Sequence, residues 1–318
     1  MKIALLEPLG VKEDMINELA APIMEKGHEF VYYPQKATDI SELISRSSGC
    51  DAVIIANNPY PAGVINSLPQ LKLIDVAFTG IDHVATEACK KNGITVCNAA
   101  NYSNQTVAEL VIGFTIALLR KMKACDTVIR ENGTSAGLMG SEIAGKTVGI
   151  VGTGRIGMIT AKLFLAFGAR VIAYSRTFRP EATALGIEYV PLEQLMSDSD
   201  IISIHTPNNA STRNLICQEM IALMKPSAIF INCARGPIID DDALAHALNE
   251  GLIAGAGIDV FDMEPPLDTD QPLLHAKNCL LAPHVGFLSE ESMLRRARIV
   301  FRNLNSWLEG SPENICEQ

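Results

Sequence analysis

Three ionisable residues in the second half of the chain have the types that proton-coupled chemistry on an oxo acid needs. Arg235 follows the run Ile229-Phe230-Ile231-Asn232-Cys233-Ala234, Glu264 follows Gly257-Ile258-Asp259-Val260-Phe261-Asp262-Met263, and His284 follows Leu280-Leu281-Ala282-Pro283. A guanidinium forks onto carboxylate and carbonyl oxygens. An imidazole can hand a proton to a carbonyl oxygen near neutral pH. A carboxylate bonded to that imidazole would favour its charged form. Singly, these are an ion-pair former, a loop acid and a packed histidine. Together they stand at the exits of three β-like runs, which is where open α/β sheets place their ligands.

The reducing half of such chemistry would come from a bound nucleotide. The turn Gly152-Thr153-Gly154-Arg155-Ile156-Gly157 lies between a strand pattern, Thr147 to Val151, and a helix pattern, Ile156 to Phe167. Gly152 permits a tight turn, Gly154 lets backbone approach a pyrophosphate, and Gly157 allows a helix to pack closely on a strand. The free N–H groups of the helix start would face the anion. A second strand pattern, Arg170 to Tyr174, completes the unit and runs into Ser175-Arg176-Thr177. An acid usually holds the ribose of NAD at that exit, whereas an arginine suits a 2′-phosphate. The expected cofactor is therefore NADP, with NAD possible, and the cofactor supplies the hydride.

These residues need a scaffold, and the whole chain has the rhythm of one. Strand patterns near Ile3 to Leu6, Phe30 to Tyr33, Ala52 to Ile55, Leu73 to Ala77 and Thr95 to Cys97 alternate with helix-length patterns. A long helical pattern from a cap at Ser103 to about Arg130 leads into the loop Glu131 to Gly140. Six further strands follow: Thr147 to Val151, Arg170 to Tyr174, Ile201 to Ile204, Ala228 to Ile231, Ala254 to Ile258 and Cys279 to Leu281. Such alternation predicts α/β architecture with parallel sheets. A last helix, roughly Ser289 to Leu308, carries Glu290, Glu291, Arg295, Arg296 and Arg298, read as a solvated or ion-paired face.

Bulk properties narrow the partners. At 318 residues the chain is long enough for two domains, and 48% apolar with 19% charged residues is the composition of an ordinary globule. A formal net charge of −10 argues against nucleic acid or an anionic membrane as partner. The apolar stretch Leu110 to Leu119 is about half of what a bilayer requires. The N-terminus reads as a first strand rather than a leader, so a cytoplasmic location is expected. The 8 cysteines show no metal or disulfide spacing, and no metal is expected.

The motifs Val151 to Gly157, Asn232-Cys233-Ala234-Arg235-Gly236, Gly257 to Phe261 with Glu264-Pro265, and Pro283-His284-Val285-Gly286 resemble those of the D-isomer-specific 2-hydroxyacid dehydrogenases. Thr79-Gly80-Ile81-Asp82-His83-Val84 and Tyr102 to Glu109 fit as well. The resemblance spans essentially the whole chain. It implies two doubly wound parallel-sheet domains: a Rossmann-type nucleotide domain, residues 101–287, inserted into a flavodoxin-like substrate domain, residues 1–100 plus 288–318, with the active site in the cleft. It gives Arg235, Glu264 and His284 the roles reasoned above. It puts Asp259 at the nicotinamide end, with Cys233, Ala234, Gly286 and the stretch His205-Thr206-Pro207 alongside the cofactor, and it has Thr79 and Gly80 hold the substrate carboxylate.

The implied activity is reduction of a small 2-keto acid to the D-2-hydroxy acid by a homodimer, the helix from Ser103 being the candidate interface. Where phosphoglycerate dehydrogenases carry an arginine for the substrate phosphate, this chain has Asn57 and Asn58. A small unphosphorylated acid such as glyoxylate or hydroxypyruvate is thereby favoured. The alternatives are a nucleotide-sensing, corepressor-like binding protein of the same fold and a dehydrogenase of a larger or phosphorylated 2-hydroxy acid.

Overall fold

The structure is a computed structural model and describes residues 1–316. Its strands are β1 (Lys2–Leu5), β2 (Glu29–Tyr32), β3 (Ala52–Ile55), β4 (Leu73–Val76), β5 (Thr95–Asn98), β6 (Thr147–Val151), β7 (Arg170–Tyr174), β8 (Glu188–Tyr189), β9 (Ile201–Ile204), β10 (Ile229–Asn232), β11 (Gly255–Ile258) and β12 (Cys279–Leu281). They form a five-stranded sheet, β2-β1-β3-β4-β5, and a seven-stranded sheet, β12-β11-β10-β9-β6-β7-β8. Pairing is parallel throughout, with Ile3 opposite Phe30 and Ala52 in one sheet and Val148 opposite Val171 and Ile201 in the other. Every residue of β3, β4, β9, β10 and β11 is buried, as parallel strands covered on both faces must be.

The chain divides into two compact units, one made of Met1–Ser103 with the segment from Leu288 onward, the other of Asn104–Phe287. The first sheet has the flavodoxin-like order, reversing direction between β1 and β3; the second has the dinucleotide-fold order, reversing between β6 and β9. The first crossing falls at Ser103 rather than at residue 100 because Tyr102 is anchored in the first unit. Its ring is 1% exposed and meets Phe78 edge-on at 6.2 Å, and its carbonyl accepts from Arg295 Nε at 2.9 Å.

Three features differ from the sequence expectation. The second sheet has a seventh strand, β8, only two residues long and so too short for a periodic signal. The long helix is two helices, Asn104–Leu119 and Met122–Arg130. Lys121 between them is left-handed at φ 52°, and the freed carbonyl of Leu119 accepts from Ser141 N–H at 2.9 Å. Arg296 is not on a solvated face: it is 4% exposed, with its guanidinium 5.1 Å from the Phe78 ring centroid and 5.9 Å from that of Tyr102. The helix that carries it, Glu290–Leu308, starts at Ser289, whose hydroxyl accepts from Ser292 N–H in a capping box.

Candidate functional site

At the exit of β6 two of the three glycines admit no side chain, each for its own reason. Gly152 has φ 101°, and a Cβ there would lie 2.6 Å from the His205 carbonyl oxygen. A Cβ on Gly157 would lie 2.0 Å from the carbonyl oxygen of Gly152, so only glycine lets the helix Arg155–Ala166 sit this close to the turn. Gly154 differs: its Cβ direction meets no heavy atom within 4 Å. It is the N-cap of that helix and offers no side-chain acceptor, so the first N–H groups are left for an anion. Arg155 is exposed and Ile156 half-buried, while Thr153 is buried with its hydroxyl bonded to Tyr189 at 2.9 Å. An open N-terminus behind two glycines that admit no side chain fits a dinucleotide pyrophosphate.

The exit of β7 is braced by that same tyrosine. Tyr189 in β8 accepts from Arg179 N–H at 3.0 Å, and its ring packs on Phe178 with centroids 4.6 Å apart. Ser175 is half-buried, and Arg176 and Thr177 are exposed. Arg176 Nη1 reaches Ser211 Oγ at 3.4 Å, across to the loop after β9. Ser211 is itself held, its N–H and hydroxyl both bonding Asn209 Oδ1. Sequence reasoning singled out neither Tyr189 nor Ser211: a two-residue strand and a polar loop carry no pattern.

At the exit of β9, His205 N–H donates to Val151 O at 2.7 Å, and its Nε2 shares a hydrogen bond with Ser203 Oγ at 2.9 Å. Burial pushes its pKa down to about 3, so the ring is neutral and walls the glycine turn. Thr206 Oγ1 is buried with no hydrogen-bond partner among the described residues. A buried hydroxyl left unsatisfied beside an anion cradle is a further sign of an external ligand. Pro207 is exposed, its carbonyl accepting from Thr212 Oγ1 at 2.6 Å.

The exits of β10, β11 and β12 are tied into one frame. Asn232, fully buried, clamps the turn after β10: its Nδ2 donates to Arg235 O at 2.9 Å and its Oδ1 accepts from Ala234 N–H at 3.0 Å. Cys233 is buried, Ala234 and Arg235 are half-buried, and Arg235 Nη1 donates to Ala234 O at 2.7 Å. A Cβ on Gly236 would lie 2.0 Å from the Phe261 carbonyl carbon, so these two exits touch backbone to backbone. Asp259 is 1% exposed; its N–H donates to Asn232 O at 2.9 Å, and its carboxylate accepts from Val285 N–H and Gly286 N–H, both at 2.7 Å. Burial raises its pKa against the opposing pull of those two donors.

His284 caps this frame. Its N–H donates to Asp259 O at 2.8 Å, and its φ is 56°, in the left-handed region. Its Nδ1 meets Glu264 Oε1 at 2.8 Å and Oε2 at 2.9 Å. A carboxylate only accepts, so Nδ1 carries the hydrogen and Nε2, on the opposite side of the ring, is the nitrogen available for chemistry. Phe287 meets the imidazole edge-on at 5.6 Å. Arg235, Glu264 and His284 thus stand on three adjacent strand exits of one sheet.

The residues expected to hold substrate lie in the other unit. Thr79 is exposed and Gly80 half-buried after β4, and the Thr79 carbonyl accepts from Asn98 Nδ2 at 2.7 Å. Asn57, exposed after β3, donates its N–H to Glu7 Oε2 at 3.3 Å. Glu7, fully buried, was not singled out by sequence reasoning.

Comparison with known proteins agrees with this architecture. Residues 112–286 match the family described as D-isomer specific 2-hydroxyacid dehydrogenase, NAD binding domain. A glyoxylate reductase of Korarchaeum cryptofilum (strain OPF8) is 36% identical over 284 residues, covering 87% of this chain and 85% of that protein. A hydroxypyruvate reductase of Blautia hydrogenotrophica (strain DSM 10507 / JCM 14656 / S5a33) is 34% identical over 301 residues, covering 92% of each. Among solved structures, an acyclic imino acid reductase in complex with NADPH and D-Arg superposes with a TM-score of 0.90 at 30% identity, covering 100% of both chains. With the nucleotide unit matched and relatives aligned over nearly the full length, the chain belongs to the D-isomer specific 2-hydroxyacid dehydrogenases.

Proposed function

We propose that this protein reduces a small 2-keto acid of the glyoxylate or hydroxypyruvate kind to the D-2-hydroxy acid, with NADPH preferred over NADH. The observation that carries this reading is the His284–Glu264 pair at 2.8 Å, which joins the exit of β12 to the exit of β11 that also carries Asp259, next to the β10 exit of Arg235. The names of the relatives, glyoxylate reductase and hydroxypyruvate reductase, support the same substrate class. Gly152 to Gly157 would hold the cofactor by its pyrophosphate, and the bound nicotinamide would supply the hydride for the carbonyl carbon.

The chain's own residues do the rest. Arg235 holds the substrate carboxylate and polarises the carbonyl, using the planar fork that suits paired oxygens. His284 gives its Nε2 proton to the carbonyl oxygen as negative charge develops there, which makes that oxygen the product hydroxyl. Glu264 keeps Nδ1 protonated and the ring in place. Asp259 holds the His284 loop by its two carboxylate hydrogen bonds and stands at the nicotinamide end, with Cys233, Ala234, Gly286 and the Thr206 hydroxyl alongside the cofactor.

Arg176 supports the NADPH preference: it is a cation next to Ser175, which stands where the usual acid would, and it reaches toward Ser211. Ser175 and Thr177 offer hydroxyls beside it. No helix among the described residues is long and apolar enough to cross a membrane. The helix Met122–Arg130 buries none of its residues within the chain and leaves Met122 53% and Ile129 68% exposed, which favours a homodimer formed through this region. Steady-state rates for a panel of 2-keto acids with each reduced cofactor test the reading. The expected result is highest kcat/KM for glyoxylate or hydroxypyruvate with NADPH; tight nucleotide binding without turnover would replace the enzyme by a nucleotide sensor.

A further inference from the structure

A relay of hydrogen bonds ties the exit of β7 to the glycine turn at the exit of β6, wholly within the unit Asn104–Phe287. It begins at Arg179 N–H, which donates to the Tyr189 hydroxyl at 3.0 Å. That hydroxyl donates to Thr153 Oγ1 at 2.9 Å, and Thr153 Oγ1 donates to the Thr177 carbonyl at a longer 3.5 Å. An amide N–H only donates and a carbonyl only accepts, so the two ends fix the direction of both hydroxyl hydrogens. The relay leaves the β7 loop at residue 179, passes through the glycine turn and returns to the loop at residue 177. Thr153, between Gly152 and Gly154, is 1% exposed. Tyr189 stands on β8 opposite Ala173 of β7, and Phe178, itself 70% exposed, lies on the tyrosine ring.

Arg176 is the neighbour of the residue on which the relay ends, and residues 176–179 are all exposed. An exposed segment without such a tie samples many positions, and ordering it on binding costs affinity. A dinucleotide carrying a 2′-phosphate needs two anchors at a set spacing, one for the pyrophosphate at the helix start behind Gly154 and one for the phosphate ester at the β7 exit. The relay joins these two places through side chains that have nowhere else to turn. We propose that Tyr189 is a positioning residue for the 2′-phosphate: its hydroxyl holds the Arg176 loop against the glycine turn, so the guanidinium is in place before the cofactor arrives. Tyr189 acts through Arg176 and not by contact of its own. This rests on the proposed preference for NADPH.

The test reads binding rather than turnover: dissociation constants of NADPH and NADH for the full chain by titration calorimetry, beside the Tm of the nucleotide-free protein. Tyr189→Phe keeps a ring on Phe178 and removes only the hydroxyl. It should weaken NADPH about tenfold, the worth of one hydrogen bond, and leave NADH within about twofold. In an Arg176→Ser background the same change should alter NADPH affinity by less than about twofold, because effects that act through one shared group do not add. Unchanged NADPH affinity overturns the assignment. A Tyr189→Phe protein that unfolds, or that weakens both cofactors alike, makes Tyr189 a residue of the fold alone and overturns it too. A full tenfold loss in the Arg176→Ser background severs Tyr189 from Arg176 with the same result. Failure of the cofactor reading shows separately, in a wild-type protein that binds NADH as tightly as NADPH, and removes this inference with it.

Discussion

His284 presents its Nδ1 to both oxygens of Glu264, at 2.8 and 2.9 Å, from a backbone held in the left-handed region. For a residue other than glycine that conformation is sparsely populated, and surrounding structure must hold it. It does so through Asp259, which binds the N–H groups of His284, Val285 and Gly286 in succession. The proton-bearing ring is therefore aimed by backbone and oriented by Glu264. The same arrangement serves both directions, since Nε2 can give a proton in reduction and take one in oxidation.

Glu264→Gln removes a negative charge 2.8 Å from the ring while keeping an acceptor for Nδ1–H. The weaker partner should lower kcat for reduction about tenfold, with nucleotide affinity unchanged. A kcat equal to that of wild type would take Glu264 out of this role.

Arg176→Ser tests the cofactor reading. The variant should lose roughly 10- to 100-fold in kcat/KM with NADPH, the worth of a charged hydrogen bond, and little with NADH. Equal losses with both cofactors, or none, would mean that Arg176 does not meet a 2′-phosphate.

Gly154 and Gly157 should separate fold from binding. A Cβ at Gly157 collides with Gly152 O at 2.0 Å, so Gly157→Ala should lower the Tm of the nucleotide-free protein, at a cost of about 1–3 kcal/mol. At Gly154 the space is empty, so Gly154→Ala should leave that Tm nearly unchanged and instead weaken NADPH binding. Thermal scans with and without NADPH distinguish the two; a Gly154→Ala protein that binds normally contradicts the placement of the pyrophosphate.

Asp75 gives a pH dependence in stability. It is fully buried in β4 beside Asn303, which donates to its Oδ1 at 3.0 Å, and burial pushes its pKa up to about 8. The unfolded carboxyl titrates near its ordinary value of about 3.9, so between about 4 and 8 the folded state holds a proton that the unfolded state lacks. Stability should fall as pH rises through that window. Asp75→Asn keeps the bond from Asn303 and never ionises, so its Tm should decline less between pH 5 and pH 9. Parallel curves for the two proteins would rule out Asp75 as the source.

Much of this was legible because it rests on local signals. Gly152 to Gly157, the strand exits that carry Arg235, Glu264 and His284, and the alternation of the two sheets are all short-range patterns. What was not legible depends on residues far apart in the chain or on backbone states without a marker. Glu7 is one acid after one strand until residues 56–58 arrive to bond it. Arg296 looks like a solvated charge until Phe78 and Tyr102 close over it. Lys121 breaks a helix in a left-handed state that a glycine would have announced and a lysine does not. Asn232 lay within a motif that fitted, but its clamp on the Arg235 turn is visible only in the hydrogen bonds.

The most direct test of the central claim is NADPH oxidation with hydroxypyruvate by the wild-type protein and His284→Ala side by side, with the configuration of the glycerate determined. Wild type should form the D-isomer, and the variant should lose about 10² to 10⁴ in kcat while binding NADPH as before. Equal turnover by the two proteins, or an L-configured product, would contradict it.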